Sequence, residues 1–292
     1  MRRLAQAAVL GLTLVLAACR GGDASGAVAS NPALAPPAEA AISPAPPVAL
    51  RRDLRTVAVD AGHGGEDIGA VGVSGVSEKD ITLAAALQVA RALERRGYTV
   101  VLTRSVDETT PLPTRTARAN ASGAGLLVSV HANAAENETA RGIETYSMDL
   151  ASDESAMRLA ERENRIAEVM DAAGAPPPQP VEQLADELRH GANAVWGRAL
   201  AVDVHTALIE RLRGLYGEEV IVDRRRRAAP FWVLLDAEIP GVLVELGYLT
   251  EPSEEQRVRS HAYQQEAAEA IADGINRFVL RAEAAEAGRP PG

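Results

Sequence analysis

Short, almost wholly apolar runs recur along this chain, each handing over to a polar or glycine-rich stretch, and this alternation constrains the fold more than any other feature. Thr56-Val57-Ala58-Val59-Asp60 is followed by Ala-Gly; Leu126 to Val130 is followed by His131, and Val242-Leu243-Val244 by Glu245. Runs of this length and β-branched content read as buried strands. Thr99 to Thr103 and Ile143 to Met148 read as two more. Between them, Ser77 to Arg96 reads as a helix: Ile81, Ala85, Val89 and Leu93 share one face, Ser77 and Asp80 fit a capping box, and Gly97 ends it. Pro113 to Ala121 is a short helix, Leu200 to Leu212 an amphipathic one with Gly214 just past its end, and Tyr263 to Ala282 the last. Strand, helix, strand, helix, strand predicts an α/β fold with right-handed crossovers.

Aromatic residues are only 3% of the 292-residue chain, so the core must be aliphatic. The net charge of -10 argues against nonspecific nucleic-acid binding. The basic run Arg224 to Arg227 reads as a solvated loop. Ahead of the first strand, Arg2 and Arg3 precede an apolar stretch, Leu4 to Ala18, of signal-peptide length and too short to span a bilayer. It ends in Leu16-Ala17-Ala18-Cys19, which resembles the bacterial lipobox, and Cys19 is the chain's one cysteine. A lipid on Cys19 would make the membrane contact an anchor only. Residues 20–50, rich in Ala and Pro, bury too little to offset ordering entropy and read as a tether. Residues 151–195 are acidic, helical in pattern and broken by Pro176-Pro177-Pro178, which marks an insertion.

Two of the five histidines stand at strand ends: His63 after the first strand and His131 after the third. The carboxyl ends of strands are where open α/β sheets bind ligands. Glu78, in the first turn of the following helix, should lie near the same edge, so two imidazoles and a carboxylate can converge on one point. Two His, one carboxylate and a water form a known catalytic zinc shell. Gly62, Gly64 and Gly65 let the backbone turn sharply around His63. Glu245, at the end of a buried strand, is costly unless paired or functional, and beside such a metal it can serve as general base and then acid. Each residue alone also has a plainer reading: a hydrogen-bonded histidine, a first-turn acid favoured by the helix dipole, a buried ion-pair partner. His190, His205 and His261 lack strand-end placement and read as surface or packing residues, His205 being the candidate exception.

The stretch Val57 to Gly65 resembles the opening motif of the amidase-3 class of N-acetylmuramoyl-L-alanine amidases. Ser77-Glu78-Lys79-Asp80, Arg115 with Ala119-Asn120, Ser129 to Ala134, Gly142 to Tyr146 and Val244 to Leu249 resemble that family's later motifs, in order, over about residues 55 to 280. The resemblance implies one α/β domain, residues 54–283, with a mixed, mostly parallel twisted sheet, flanking helices and a helical insertion. It implies Zn2+ held by His63, Glu78 and His131, Glu245 as the catalytic acid/base, and Arg115 and Asn133 as substrate contacts. The substrate would be peptidoglycan, cut between muramic acid and L-Ala. The insertion resembles a regulatory segment that covers the cleft until a LytM-type activator withdraws it, with Glu182, Asp186 or Glu187 as the blocking acid. Two positions depart from the family pattern: Gly125 where Asp is frequent, and Thr250-Glu251 where Ser-Asn is frequent. The competing expectations are a zinc peptidase acting on another cell-wall amide and a non-catalytic peptidoglycan-binding lipoprotein. The expected location is the periplasm, with Arg20 after the lipidated cysteine favouring the outer membrane.

Overall fold

A computed structural model describes residues 53–170 and 191–287. Six strands form one sheet: β1 (Asp53–Ala61), β2 (Thr99–Leu102), β3 (Ala124–Asn133), β4 (Ile143–Ser147), β5 (Asp223–Ala228) and β6 (Gly241–Tyr248). The order across the sheet is β2-β1-β3-β6-β4-β5. β1 pairs in parallel with β2 and β3, β3 with β6, and β4 with β5, while β4 and β6 run antiparallel. The sheet is therefore mixed and mostly parallel, as expected. Seven helices among the described residues flank it: α1 (Glu78–Arg95), α2 (Leu112–Ala121), α3 (Glu154–Met170), α4 (Ala192–Tyr216), α5 (Trp232–Leu235), α6 (Pro252–Arg259) and α7 (His261–Ala287).

The apolar runs are explained by burial on both faces, since successive strand side chains point to opposite sides. Val57, Val59, Leu126, Val128, Val242 and Val244 pack in the core that includes Leu93, Leu200 and Ile271. Ala58, Leu127 and Leu243 pack with Tyr146, Leu159 and Phe231 in the other. β1, β3 and β6 point their carboxyl ends to one edge. Because β4 is reversed, its amino-terminal Glu144 reaches that edge too, directly opposite Glu245.

Several local expectations change. The capping box at Ser77 does not form; its side chain makes no cap. The preceding loop instead supplies carbonyls of Ala70 and Ile68 to the amides of Glu78 and Lys79. Gly214 lies within α4, which runs on until Gly217 at φ 95 takes the cap position. The insertion contains α3, and its last residues already belong to α4, where Ala194 is buried. The run Arg224 to Arg227 is not a solvated loop but most of the edge strand β5. Arg225 and Arg226 are exposed, whereas Arg224 and Arg227 turn inward and donate to the buried carboxylate of Glu144. α6 is a further helix, capped by the Glu251 carboxylate, which accepts from the Glu254 amide at 2.7 Å. None of the described helices is long and apolar enough to cross a membrane.

Candidate metal centre and active site

Beyond β1 the chain turns abruptly, and His63 adopts φ 61, a left-handed conformation unusual for a side-chain-bearing residue. Two buried guanidinium groups hold that turn. Arg115 donates to the carbonyls of Ala61, His63 and Thr110 and to Asp60. Arg104 donates to the carbonyls of Ala61 and Gly62. Asp60 also accepts from Thr103 at 2.5 Å and Ser129 at 2.6 Å. These partners, with the Arg115 charge foremost, override burial and lower its pKa to about 2. Gly62 lets the turn approach β3, because a Cβ there would sit 2.4 Å from the His131 ring; one at Gly69 would sit 2.7 Å from Glu78 Oε2.

The His63 Nδ1 faces the Asp67 carboxylate at 2.9 Å, which directs Nε2 inward. From His63 Nε2 to Glu78 Oε2 is 3.1 Å, and from His131 Nδ1 to Glu78 Oε1 is 3.1 Å. Glu78 is fully buried and fixed by the amides of Ala70 at 2.9 Å and Ala132 at 3.0 Å. The three side chains predicted to share a metal therefore meet.

A fourth group joins them from the insertion. Glu163, on α3, places Oε2 3.1 Å from His63 Nε2 and 3.4 Å from His131 Nδ1. One ligand atom from each of His63, Glu78, His131 and Glu163 lies within 4.8 Å of the others. His63 Nε2 and Glu163 Oε2 are buried without a hydrogen-bond partner although they nearly touch. Buried polar atoms are rarely left so, and a convergent set of two nitrogens and two carboxylates fits Zn2+. Burial disfavours a charged His63, but the Glu78 and Glu163 carboxylates outweigh it and raise its pKa well above the ordinary value. The cluster is built to hold a positive charge, whether proton or metal.

Glu245 pairs with His131 across β3 and β6. Both its oxygens are buried and unpaired, and burial together with the charges of Glu78 and Glu163 raises its pKa well above that of a free carboxyl. Its neighbour Glu144 is saturated by contrast, accepting from Tyr146, Tyr248, Arg224, Arg227 and Asn133. Around Glu163, Arg162 donates to the Ala134 carbonyl at 2.7 Å and Asn133 Oδ1 at 3.1 Å. Arg227 also bonds Asp153 and Ser155 at the start of α3. A cleft open to solvent adjoins the cluster, with His63, His131, Glu163, Asn164, Phe231 and Trp232 among its walls.

Asn133 thus lies at the site, its side chain shared between Arg162 and Glu144. Arg115 lines the cleft, but its donors are taken by the protein's own turn. Cys19, Glu182, Asp186, Glu187 and His190 lie outside the described residues. His205 is buried between Thr145 and Asp223, and His261 is exposed beside Gln88. Gly125 packs where a Cβ would meet the Asp53 carbonyl at 2.5 Å, so an Asp does not fit this backbone. The Thr250 hydroxyl accepts from the Ala135 amide at 3.2 Å. Sequence reasoning missed Glu163, Arg162, Asp67 and Glu144. Asp67 is four residues after His63, and Glu144 stands in a buried strand as Glu245 does; those were the available signals.

A family model described as N-acetylmuramoyl-L-alanine amidase matches residues 57–277. The chain is 33% identical over 223 residues to the N-acetylmuramoyl-L-alanine amidase AmiA of Escherichia coli, covering 76% of this chain and 75% of that protein. It is 31% identical to the amidase AmiC of Neisseria meningitidis, covering 76% of this chain but only 52% of the relative. Among solved structures, the amidase AmiC2 of Nostoc punctiforme superposes with a TM-score of 0.58 at 30% identity, covering 78% of this chain and 99% of that one. The catalytic domain of CwlV from Bacillus (Paenibacillus) polymyxa gives 0.57 at 29% identity, covering 77% and 98%. With the motifs in order, the sheet in place and the buried His/Glu cluster at its carboxyl edge, the chain belongs to the amidase-3 family of N-acetylmuramoyl-L-alanine amidases.

Proposed function

We propose that this amidase is zinc-dependent, that His63, Glu78 and His131 hold the metal, and that Glu245 moves the proton during hydrolysis of the amide joining muramic acid to L-Ala. The observation that carries this reading is the convergence of three side chains, from the turn after β1, from α1 and from β3, on one buried point, with the unpaired Glu245 carboxyl on the adjacent strand. Zinc held there would polarise the scissile carbonyl and make a water more acidic. The Asp67 bond keeps His63 in the tautomer that offers Nε2. Glu245, lacking any competing hydrogen bond, is free to accept the water's proton and return it to the leaving amine. Digestion of purified sacculi followed by mass spectrometry tests the reading. Release of intact stem peptides beginning with L-Ala supports it; cleavage only within the peptide supports a peptidase, and no cleavage by a zinc-loaded, uncovered enzyme supports a binding protein.

The insertion is proposed to be autoinhibitory, with Glu163 as the blocking acid. Its carboxylate takes a place among the ligand atoms that a substrate oxygen or water needs. A LytM-type partner that withdraws α3 would open the site. The apolar stretch ending at Cys19 supports a lipid-anchored, periplasmic protein whose residues 20–50 act as the tether, with Arg20 favouring the outer membrane. Cell-wall remodelling or daughter-cell separation would be its setting.

A further inference from the structure

Two adjacent carboxylates on α6, Glu254 and Glu255, are buried, and neither belongs to the metal cluster. Burying two neighbouring acids is costly unless their oxygens are occupied. Glu254 Oε2 accepts from the amides of Gly142 and Tyr248, both at 2.8 Å. These amides lie just past the point where β4 and β6 stop pairing, at Glu144 opposite Glu245. On the other side of β6, His131 pairs with Glu245 but Asn133 pairs with Tyr248, so β6 holds one residue more than β3 over this step. Such a bulge bends its strand and redirects the side chains beside it. Glu254 therefore clamps the strand three residues beyond Glu245.

Glu255 grips a different segment. Its carboxylate accepts from the Ser74 amide at 3.0 Å and from the Ser74 hydroxyl. Ser74 stands at the tip of a small hairpin between β1 and α1, closed by the Gly72 amide on the Val76 carbonyl at 2.9 Å and by a bridge between Val71 and Ser77. At the foot of that hairpin, Ala70 gives its carbonyl to the Glu78 amide at 2.8 Å and its amide to Glu78 Oε2 at 2.9 Å. Arg257 and Arg259, a turn further along α6, face the two acids at 3.3 and 3.6 Å. One short helix thus holds the strand that carries Glu245 and the loop that orients Glu78.

We infer that Glu254 and Glu255 are positioning residues for the hydrolysis: Glu254 aims Glu245 through the β6 bulge, and Glu255 aims Glu78 through the hairpin. This rests on the roles proposed above for Glu245 and Glu78. Neither acid is among the walls of the cleft, so each acts only through the group it holds. The two should therefore fail differently, one in turnover and the other in metal retention.

The test uses the full chain carrying Glu163→Ala, with Glu254→Ala, Glu254→Gln, Glu255→Ala and Glu255→Gln added singly. Zinc affinity is read by competition with a chromogenic chelator, and kcat and KM by dye release from sacculi at saturating zinc. Glu254→Ala should lower kcat about 10- to 100-fold while zinc affinity and KM stay within about 3-fold of the parent. Glu255→Ala should weaken zinc binding about 10-fold and, once zinc is saturating, keep kcat within about 3-fold. Each Gln variant retains an oxygen that can accept the backbone N–H and should recover to within about 3-fold of the parent. If an Ala variant does not fold, the Asp variant, whose carboxylate is drawn back by one methylene, takes its place with the same expected split. Any other pattern overturns the proposal, including equal losses of zinc and turnover at both positions or no loss at either. A parent that binds no zinc, or whose kcat survives Glu245→Gln, overturns the roles of the centre instead; with both intact, a missing split counts against the positioning alone.

Discussion

Replacing Glu163 with Ala should turn a restrained enzyme into an active one. The carboxylate stands 3.1 Å from His63 Nε2 and 3.4 Å from His131 Nδ1, in a site with almost no solvent contact. A buried contact of this kind to a charged group contributes about 1.5–3 kcal/mol, so removing it should shift the balance between covered and open states by roughly 10- to 150-fold. The remaining ties of α3 would persist: Arg162 on Asn133 and Ala134, Arg227 on Asp153, and the packing of Leu159 and Ala160. The gain in rate is capped once the open state predominates, so basal activity should rise about 10- to 100-fold. Glu163→Gln, still able to place an oxygen at the site without its charge, should fall between. The assay is release of dye-labelled fragments from sacculi, with bound zinc measured in the same samples. A zinc-replete Glu163→Ala enzyme no faster than wild type would refute the gating role. Loss of zinc on the same substitution would make Glu163 a resident ligand rather than a gate.

Glu245→Gln should retain zinc and near-normal KM but lose at least about 100-fold in kcat, as expected for a missing general base; wild-type turnover would remove it from that role. Zinc affinity should weaken as pH falls, because the raised pKa of His63 means a proton must leave before the metal binds; competition titrations at pH 8 and pH 6 that gave equal affinity would contradict this. The folded-state pKa of Asp60, about 2 against 3.8 unperturbed, gives a stabilisation on the order of 2 kcal/mol. Since the shift is downward, that stabilisation is present above pH 4 and disappears as pH falls through about 2. Asp60→Asn should lower stability by a similar amount in urea unfolding at pH 7 and lessen the loss on acidification.

The parts of this architecture that announced themselves in sequence were those with two buried faces. Val57, Val59, Val128 and Val244 are apolar because each lies in a sheet covered on both sides, and the polar residue that ends such a run is conspicuous. His63, His131 and Glu245 were legible for that reason, and Glu78 because it opens the helix that follows. Glu163 was not, since one acid among many on an amphipathic helix carries no local mark; only tertiary packing brings it to the His63, Glu78 and His131 cluster. β5 was hidden by its four arginines; two of them, Arg224 and Arg227, turn inward to Glu144, a strand residue 80 positions earlier than Arg224, and the other two face solvent. The Ser77 cap failed because the loop before α1 folds back and meets the helix amides with backbone carbonyls, which no side-chain motif reveals.

The bare α-carbons of Gly62 and Gly69 have a consequence for how this centre can change. Gly62 walls the His131 ring and Gly69 walls Glu78 and His63, so the smallest possible enlargement at either position pushes a side chain of the cluster aside. Gly62→Ala should therefore yield a chain with native circular dichroism that cannot retain its metal. It would separate what the enzyme does by cutting the wall from what it does merely by being present on it.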